Sequence, residues 1–255
     1  MALLSIITIV RNDLDGLRKT HASVLRQLCK DHEWIIVDGA STDGTAEYAL
    51  ALPDPQTSVV SEPDKGIFDA MNKGLGRAQG QFVVFMNAGD TFKDERTLDA
   101  VAQALKPGSV DFLYGDSLQQ YDGDQLIHKV ARGHLKLGYG MFACHPSMYY
   151  RRSVIGAMRF NPDFKIAGDY EFTSRFLGQT SAIVRLDEAL SIFDLTGTSV
   201  QNKGRGRTEN WKVQRDVLGV PLANRVLTRL TYLLTAVLND HFPGVYRWLR
   251  FRVAA

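Results

Sequence analysis

Residues 3–10 read LLSIITIV, an unbroken apolar run rich in β-branched side chains. Residues 34–37 read WIIV and lead into the turn-forming string DGASTDG at 38–44. Short apolar runs bounded by turn residues mark strands covered on both faces. Between the two runs Leu14, Leu17, His21, Val24, Leu25 and Leu28 recur at helical spacing. Working outward, the pattern predicts a helix over 45–52, a third strand at 58–60 and a helix over 67–77. A fourth strand follows at 82–86 (FVVFM), ending in Asn87, Ala88, Gly89 and Asp90. Strands alternating with helices through residue 105 predict a mostly parallel sheet with helices on both faces. Ligands of such sheets bind beyond the carboxyl ends of the strands, so the polar segments there hold the candidate site.

Beyond Pro107 the pattern is mixed. Short strands are expected at 112–115, 118–121, 126–130, 147–150, 182–186 and 189–193. Asp122, Gly123 and Asp124 suit a hairpin turn, and a helix is expected near 170–177. From Asn210 the chain reads as helical, with Leu227, Leu230, Leu234, Val237 and Leu238 on one face. No internal repeat or low-complexity segment occurs.

The 255 residues are 45% hydrophobic and 23% charged, which excludes a disordered, collagen-like or disulfide-scaffold chain. The formal net charge of +2 conceals an asymmetry. Residues 1–202 hold 20 Lys and Arg against 25 Asp and Glu, a net of −5, whereas residues 203–255 carry +7. An acidic body with a basic tail argues against nucleic acid and leaves the tail to meet something anionic. Cys29 and Cys144 impose no framework and read as free thiols in a reducing compartment. The first residues lack the basic and small-residue features of a secretory signal. No stretch approaches the roughly 18–20 apolar residues of a spanning helix. A cytoplasmic protein is expected.

Four polar clusters fall at strand ends: Asp38 with Ser41, Thr42 and Asp43; Glu62 through Gly66; Asn72, Lys73 and Gly74; and Asn87 with Asp90. The first strand is followed by Arg11, Asn12 and Asp13, not by the G-x-G-x-x-G of a dinucleotide site, and no P-loop is present. G-x-S-x-G and zinc-ligand spacings are absent too. Carboxylates at a sheet edge suit a hard divalent cation carrying a diphosphate, with hydrogen bonds to a base and ribose.

Three strings, WIIVDGASTDGT (34–45), SEPDKGIFDAMNKG (61–74) and GQFVVFMNAGD (80–90), together resemble family 2 glycosyltransferases, most closely bacterial exopolysaccharide enzymes of the colanic acid type. The resemblance weakens through CHPSMYYRRS (144–153) and AGDYEF (167–172) to about residue 200. It implies an α/β chain of the GT-A fold: a mostly parallel central sheet flanked by helices, with a helical C-terminal tail. Residues 1–202 would form the catalytic domain, with a nucleotide-sugar half (1–105) and an acceptor half (106–202). Residues 203–255 would form a basic lid loop and amphipathic tail.

The resemblance also implies roles. Thr8, Asp38, Ser41, Asp64, Lys65, Gly66, Asn72 and Asn87 would contact a UDP- or GDP-sugar. Asp90 would bind Mn²⁺ or Mg²⁺ on the diphosphate, although the acidic segment common in relatives is thinned here to Asn87-Ala88-Gly89-Asp90. Asp169 would be the catalytic base of an inverting transfer; a helix N-cap is the competing reading for an Asp at that position. His145, Lys203, Arg205 and Arg207 are weaker candidates for acceptor or phosphate contacts, the last three in a Gly-rich segment (197–207) that could close as a lid. Asp43 reads chiefly as turn chemistry, Lys73 with Gly74 as a helix C-terminus, and Arg151 with Arg152 as a solvated pair or an anion anchor. The expected acceptor is a polyprenyl-diphosphate-linked glycan. The tail, with Arg225, Arg229, Tyr246, Arg247, Trp248, Arg250, Phe251 and Arg252, would either lie on an anionic membrane at its inner face or pack on the domain. A non-catalytic nucleotide-sugar scaffold and a sugar-phosphate nucleotidyltransferase are the alternatives.

Overall fold

The computed structural model describes residues 2–120, 125–194 and 203–242. Its axis is β1 (Leu4–Val10), paired in parallel with β2 (His32–Asp38) on one edge and β4 (Phe82–Phe85) on the other. Strand β3 (Thr57–Ser61) extends the sheet beyond β2. Helices α1 (Leu14–Leu25), α2 (Thr45–Leu50) and α3 (Ile67–Arg77) make the connections. The second half adds β5 (Thr91–Phe92), α4 (Thr97–Leu105), β6 (Phe112–Gln120), β7 (Leu126–Lys129), β8 (Met148–Arg151), α5 (Arg152–Ile155), α6 (Gly168–Leu177) and β9 (Ile183–Phe193). Helices α7 (Lys203–Asp216) and α8 (Leu222–His241) follow. The strands form one mixed sheet in the order β3-β2-β1-β4-β8-β6-β9-β5, with β7 on β6.

All of β1 is buried, as its composition predicts. Ile7 and Ile9 face a core built with Phe68 and Met71 of α3 and Phe172 of α6. Leu4, Ile6 and Val10 face Leu17 and Val24 of α1 and Leu98 and Val101 of α4. Each such side chain contributes about 1.5–3 kcal/mol by leaving water. The first core continues into an aromatic cluster in which Phe160 stacks on Phe172 at 4.2 Å and Phe85 meets Phe160 edge-on.

Several expectations need correction. The strands expected at 112–115 and 118–121 are one strand, β6, and those at 182–186 and 189–193 are one strand, β9. The two pair in parallel with register irregularities around Asp116. A bulge interrupts the period-two alternation, so each long strand reads as two short ones. Helix α1 stops at Leu25, leaving Leu25 and Leu28 exposed. Lys73 and Gly74 lie inside α3 and do not end it. The tail becomes helical at Lys203, and Pro221 divides it by capping α8. The hairpin turn at 122–124, residues 197–202 of the expected lid and the aromatic-basic segment 243–255 lie outside the described residues.

Two residues expected to bind the nucleotide are engaged within the protein. Thr8 is fully buried in mid-β1; its hydroxyl donates to the Met86 carbonyl (2.7 Å) and accepts from Trp34 Nε1 (2.9 Å). Asn72 clasps Phe160, accepting from its N–H (2.8 Å) and donating to its carbonyl (2.9 Å). Thr8→Val keeps the shape and strands both partners, so it is expected to cost about 1–3 kcal/mol in urea unfolding with nucleotide-sugar affinity unchanged. Lost affinity at unchanged stability would return Thr8 to the site.

Candidate active site

The chain runs from β1 outward to β2 and β3, then returns to place β4 on the opposite edge of β1. Such a reversal leaves a crevice at the carboxyl end of the strand where it occurs. Here it is a cleft of about 450 Å³. Arg11 and Asp13 reach it from the end of β1, Asp64 and Gly66 from the β3–α3 loop, and Asn87 and Asp90 from the end of β4. Lys165 and Ile166 approach from the lead into α6, and Phe193 and Asp194 from the end of β9.

The strand-end loops are tied to one another. Asp38 is fully buried; its carboxylate accepts from the Ser41 N–H (3.0 Å), the Ser41 hydroxyl and the Ser61 hydroxyl (2.6 Å). Ser41 Oγ in turn accepts from the Asn12 N–H (2.7 Å), which locks the loops after β1 and β2 together. Asp38 and Ser41 therefore shape the rim and are not among the residues lining the cleft. Lys73 fixes the next loop, donating to the Pro63 carbonyl (2.6 Å) and pairing with Glu62 (3.0 Å). This holds Asp64, which accepts from the Gly66 N–H (2.8 Å) at the start of α3. Lys65 is exposed outside the cleft, its N–H held by Asp69. Asp43 accepts from the Thr45 N–H and hydroxyl at the start of α2.

Gly89 adopts φ +91°, a left-handed turn that aims Asp90 back at the end of β9. Asp90 is buried, and its Oδ1 accepts from the Asp194 N–H (3.0 Å). Burial pushes the Asp90 carboxyl up to about 7, and the nearby Asp194 carboxylate adds to the rise. The amide oxygen of Asn87 is buried without a partner among the described residues. Two carboxylates and an orphaned amide oxygen on one wall of a cleft are the donors a hard divalent cation takes. No group of three or more His, Cys, Asp and Glu arranged for a metal occurs among the described residues. A cation here would take its remaining oxygens from a ligand. Asp194 escaped the sequence reading, because only the path of β9 beside β5 and β6 brings it to Asp90.

Asp169 lies in the first turn of α6, but Ala167 is the N-cap residue. Gly168 packs so closely on Phe68 that an added Cβ would sit 2.6 Å from its ring, and Phe68 lines the cleft. Burial raises the Asp169 carboxyl to about 6, with a further push from Glu209. The Asp169 carboxylate accepts from the Tyr170 N–H (2.7 Å) in that first turn, so it keeps part of the capping role. Glu209 of α7 holds the segment just before the helix. Its carboxylate accepts from the N–H groups of Lys165 (3.0 Å), Ile166 (2.8 Å) and Ala167 (2.9 Å). Burial works against that charge, yet these donors and Arg205 hold Glu209 below the usual carboxylate range. One buried acid thus fixes the strap that lines the cleft and leads into Asp169.

The basic candidates fare differently. Lys203 opens α7, and Arg205 pairs with Glu209 at 2.9 Å, so the described part of the expected lid is helix. Arg207 lies on the same helix and does not line the cleft. His145 sits in the aromatic core, stacked on Phe85 at 5.0 Å, and burial lowers its imidazole to about 4. That makes it a neutral core histidine. Arg151 bonds the carbonyls of Gly108 and Val110 and pairs with Asp111, and Arg152 bonds the carbonyl of Gly80. Among the described residues, the cations that reach the cleft are Arg11 and Lys165.

The glycosyl transferase family 2 model matches residues 5–163. The chain belongs to that family. It is 29% identical to the putative teichuronic acid biosynthesis glycosyltransferase TuaG of Bacillus subtilis, over 84% of this chain and 88% of TuaG. It is 32% identical to an uncharacterised glycosyltransferase of Mycobacterium tuberculosis, over 76% of this chain and 75% of that protein. The PGL/p-HBAD biosynthesis glycosyltransferase of Mycobacterium bovis is 28% identical over 64% of this chain, and the match spans 65% of that relative, just under two thirds of its length. Among solved structures, Staphylococcus aureus TarS 1–349 in complex with UDP-GlcNAc superposes with a TM-score of 0.69 at 20% identity, covering 95% of this chain and 73% of TarS 1–349. The mannosyltransferase PcManGT of Pyrobaculum calidifontis, in complex with GDP-Man and Mn²⁺, gives 0.62 at 15%, covering 97% and 83%. These likenesses establish the α/β GT-A-like fold.

The raised Asp90 carboxyl has a consequence for stability. In the folded chain it stays neutral up to about pH 7, whereas in the unfolded chain it ionises near its ordinary value. The folded state therefore loses stability as pH rises between those values and holds steady above them. Asp90→Asn removes that loss. In metal-free urea unfolding the variant is expected to gain on the wild type between about pH 4 and about pH 7 and to hold that gain above. A difference that does not change with pH would contradict the buried-carboxyl reading.

Proposed function

We propose that this family 2 glycosyltransferase moves a hexosyl unit from a UDP- or GDP-sugar to a hydroxyl of a lipid-linked glycan, with inversion, in the assembly of a bacterial exopolysaccharide or related surface polymer. The observation that carries the reading is the convergence on one cleft of Asp90, Asp194 and the orphaned Asn87 oxygen, beside the strap that leads to Asp169. The nucleotide sugars held by TarS and PcManGT, and the Mn²⁺ in the latter, support a nucleotide-sugar donor and a metal-bound diphosphate.

Asp64 and the free N–H groups at the start of α3 are placed to receive the nucleotide, and Arg11 and Lys165 to offset negative charge. Asp90, Asp194 and Asn87 would hold Mn²⁺ or Mg²⁺, which when bound supplies Lewis-acid stabilisation of the departing nucleoside diphosphate. Asp169 would take the acceptor proton as the acceptor oxygen bonds to the anomeric carbon and the bond from that carbon to the diphosphate oxygen breaks. A carboxyl near 6 is ionised at neutral pH and is a stronger base than an ordinary aspartate. Work on a polyprenyl-linked acceptor would bring the enzyme to the inner face of the membrane as a peripheral protein; no described helix is long and apolar enough to cross one.

Asp169→Asn is expected to keep donor binding and lower transfer by about 10²–10⁴-fold. The wild-type kcat/KM is expected to fall as pH drops below about 6, where Asp169 takes up a proton. Near-normal turnover in Asp169→Asn would remove the residue from the mechanism.

A further inference from the structure

Helix α8 is packed with its apolar side outward. Its inner stripe is Arg225, Thr228, Tyr232 and Ala236: Arg225 stacks over Trp211 of α7 at 4.7 Å, Thr228 is buried, and Tyr232 Oη donates to the Tyr139 carbonyl at 2.7 Å. Leu222, Val226, Leu227, Leu230, Leu234 and Val237 face away and are 42–60% exposed. A helix docked only on its own protein turns its leucines inward. A contiguous outward face of this size marks a surface that meets something else.

We propose that this face of α8 docks on an anionic lipid bilayer, with the helix lying in the interface. The charge of this part of the chain selects the occupant. No Asp or Glu occurs between Asp216 and Asp240, the exposed Arg229 borders the apolar face with its guanidinium 5.7 Å from the Trp211 ring, and the sequence of residues 243–255 adds three arginines, Tyr246, Trp248 and Phe251 without an acid. A cationic amphipathic helix partitions into anionic headgroups, whereas two copies apposed through it would bring like charges together. The surface also continues toward the acceptor half. Tyr139, half exposed, and Leu135, 89% exposed, lie on the 3-10 segment His134–Tyr139 that Tyr232 grips. Tyr170, the neighbour of Asp169, donates to the Leu137 carbonyl of that segment at 2.7 Å. The bilayer contact is thereby tied to the helix that carries Asp169. The proposal rests on the lipid-linked acceptor only for its purpose, and its physics stands alone.

The test is flotation of the full chain with vesicles of phosphatidylglycerol and phosphatidylcholine, and of phosphatidylcholine alone. The wild type is expected to float with the anionic vesicles at low salt and to be released as salt rises. Leu230→Ser with Leu234→Ser is expected to lower the bound-to-free ratio at least about tenfold. The same variant should keep its helical circular dichroism and its thermal shift with nucleotide sugar. A wild type that stays wholly in the soluble fraction, a double variant that floats equally well, or a concentration-dependent dimer dispersed by the double substitution would overturn the proposal. Flotation without any nucleotide-sugar shift would count against the transferase reading alone.

Discussion

Because β1 is buried along its length and paired on both edges, the polar groups this half of the chain offers a ligand must leave the sheet at strand ends. That constraint organises the molecule. The reversal of chain direction around β1 opens the cleft, and the loops after β1 and β2 are knitted by Asp38, Ser41 and Asn12 so that the rim holds its shape. Residues that lie at strand ends without facing the opening, such as Asp38, serve as fasteners. Those that face it, such as Asp64 and Asp90, keep the capacity to meet a ligand.

The electrostatics of the cleft follow from the same arrangement. Asp90 is buried at the end of β4 and faces Asp194, so its charge is unfavourable until a cation or a proton relieves it. Asp169 is raised by burial as well, with Glu209 pinned nearby by three backbone N–H donors. A carboxyl raised toward neutrality in the cleft and a second one just beyond the strap that lines it form the pattern expected where one group holds a cation and another moves a proton.

The parallel half was legible in the sequence because its strands are short, apolar and closed by turn residues, and α3 was bounded correctly at residues 67–77. The second half was less so. The irregular register around Asp116 split β6 and β9 in the reading, and a two-residue strand such as β5 leaves no periodic trace. Of the site, Asp64, Gly66, Asn87 and Asp90 were found at strand ends and do line the cleft, whereas Thr8 is buried in β1 and Asn72 is bound to the Phe160 backbone. Asp194 and Lys165 were missed because tertiary placement alone brings them to the cleft, whereas Arg11 stood at the end of the first strand and was read only as the lack of a dinucleotide motif. The amphipathic pattern of α8 was visible, but which side faces the protein could be known only from Arg225, Thr228 and Tyr232 in their packed positions.

On the proposed function, the cleft at the end of β1 receives a nucleoside diphosphate sugar with a divalent cation. A thermal-shift panel of nucleoside diphosphate sugars, run with and without Mn²⁺, tests it most directly. The expected result is one donor that raises the melting temperature as its concentration rises, by about 2.7 kcal/mol of added stability at a hundredfold excess over Kd, with a larger shift when Mn²⁺ is present and no Mn²⁺ enhancement in Asp194→Asn. A panel in which no nucleotide sugar shifts the transition, or in which Asp194→Asn responds to Mn²⁺ as the wild type does, would contradict it.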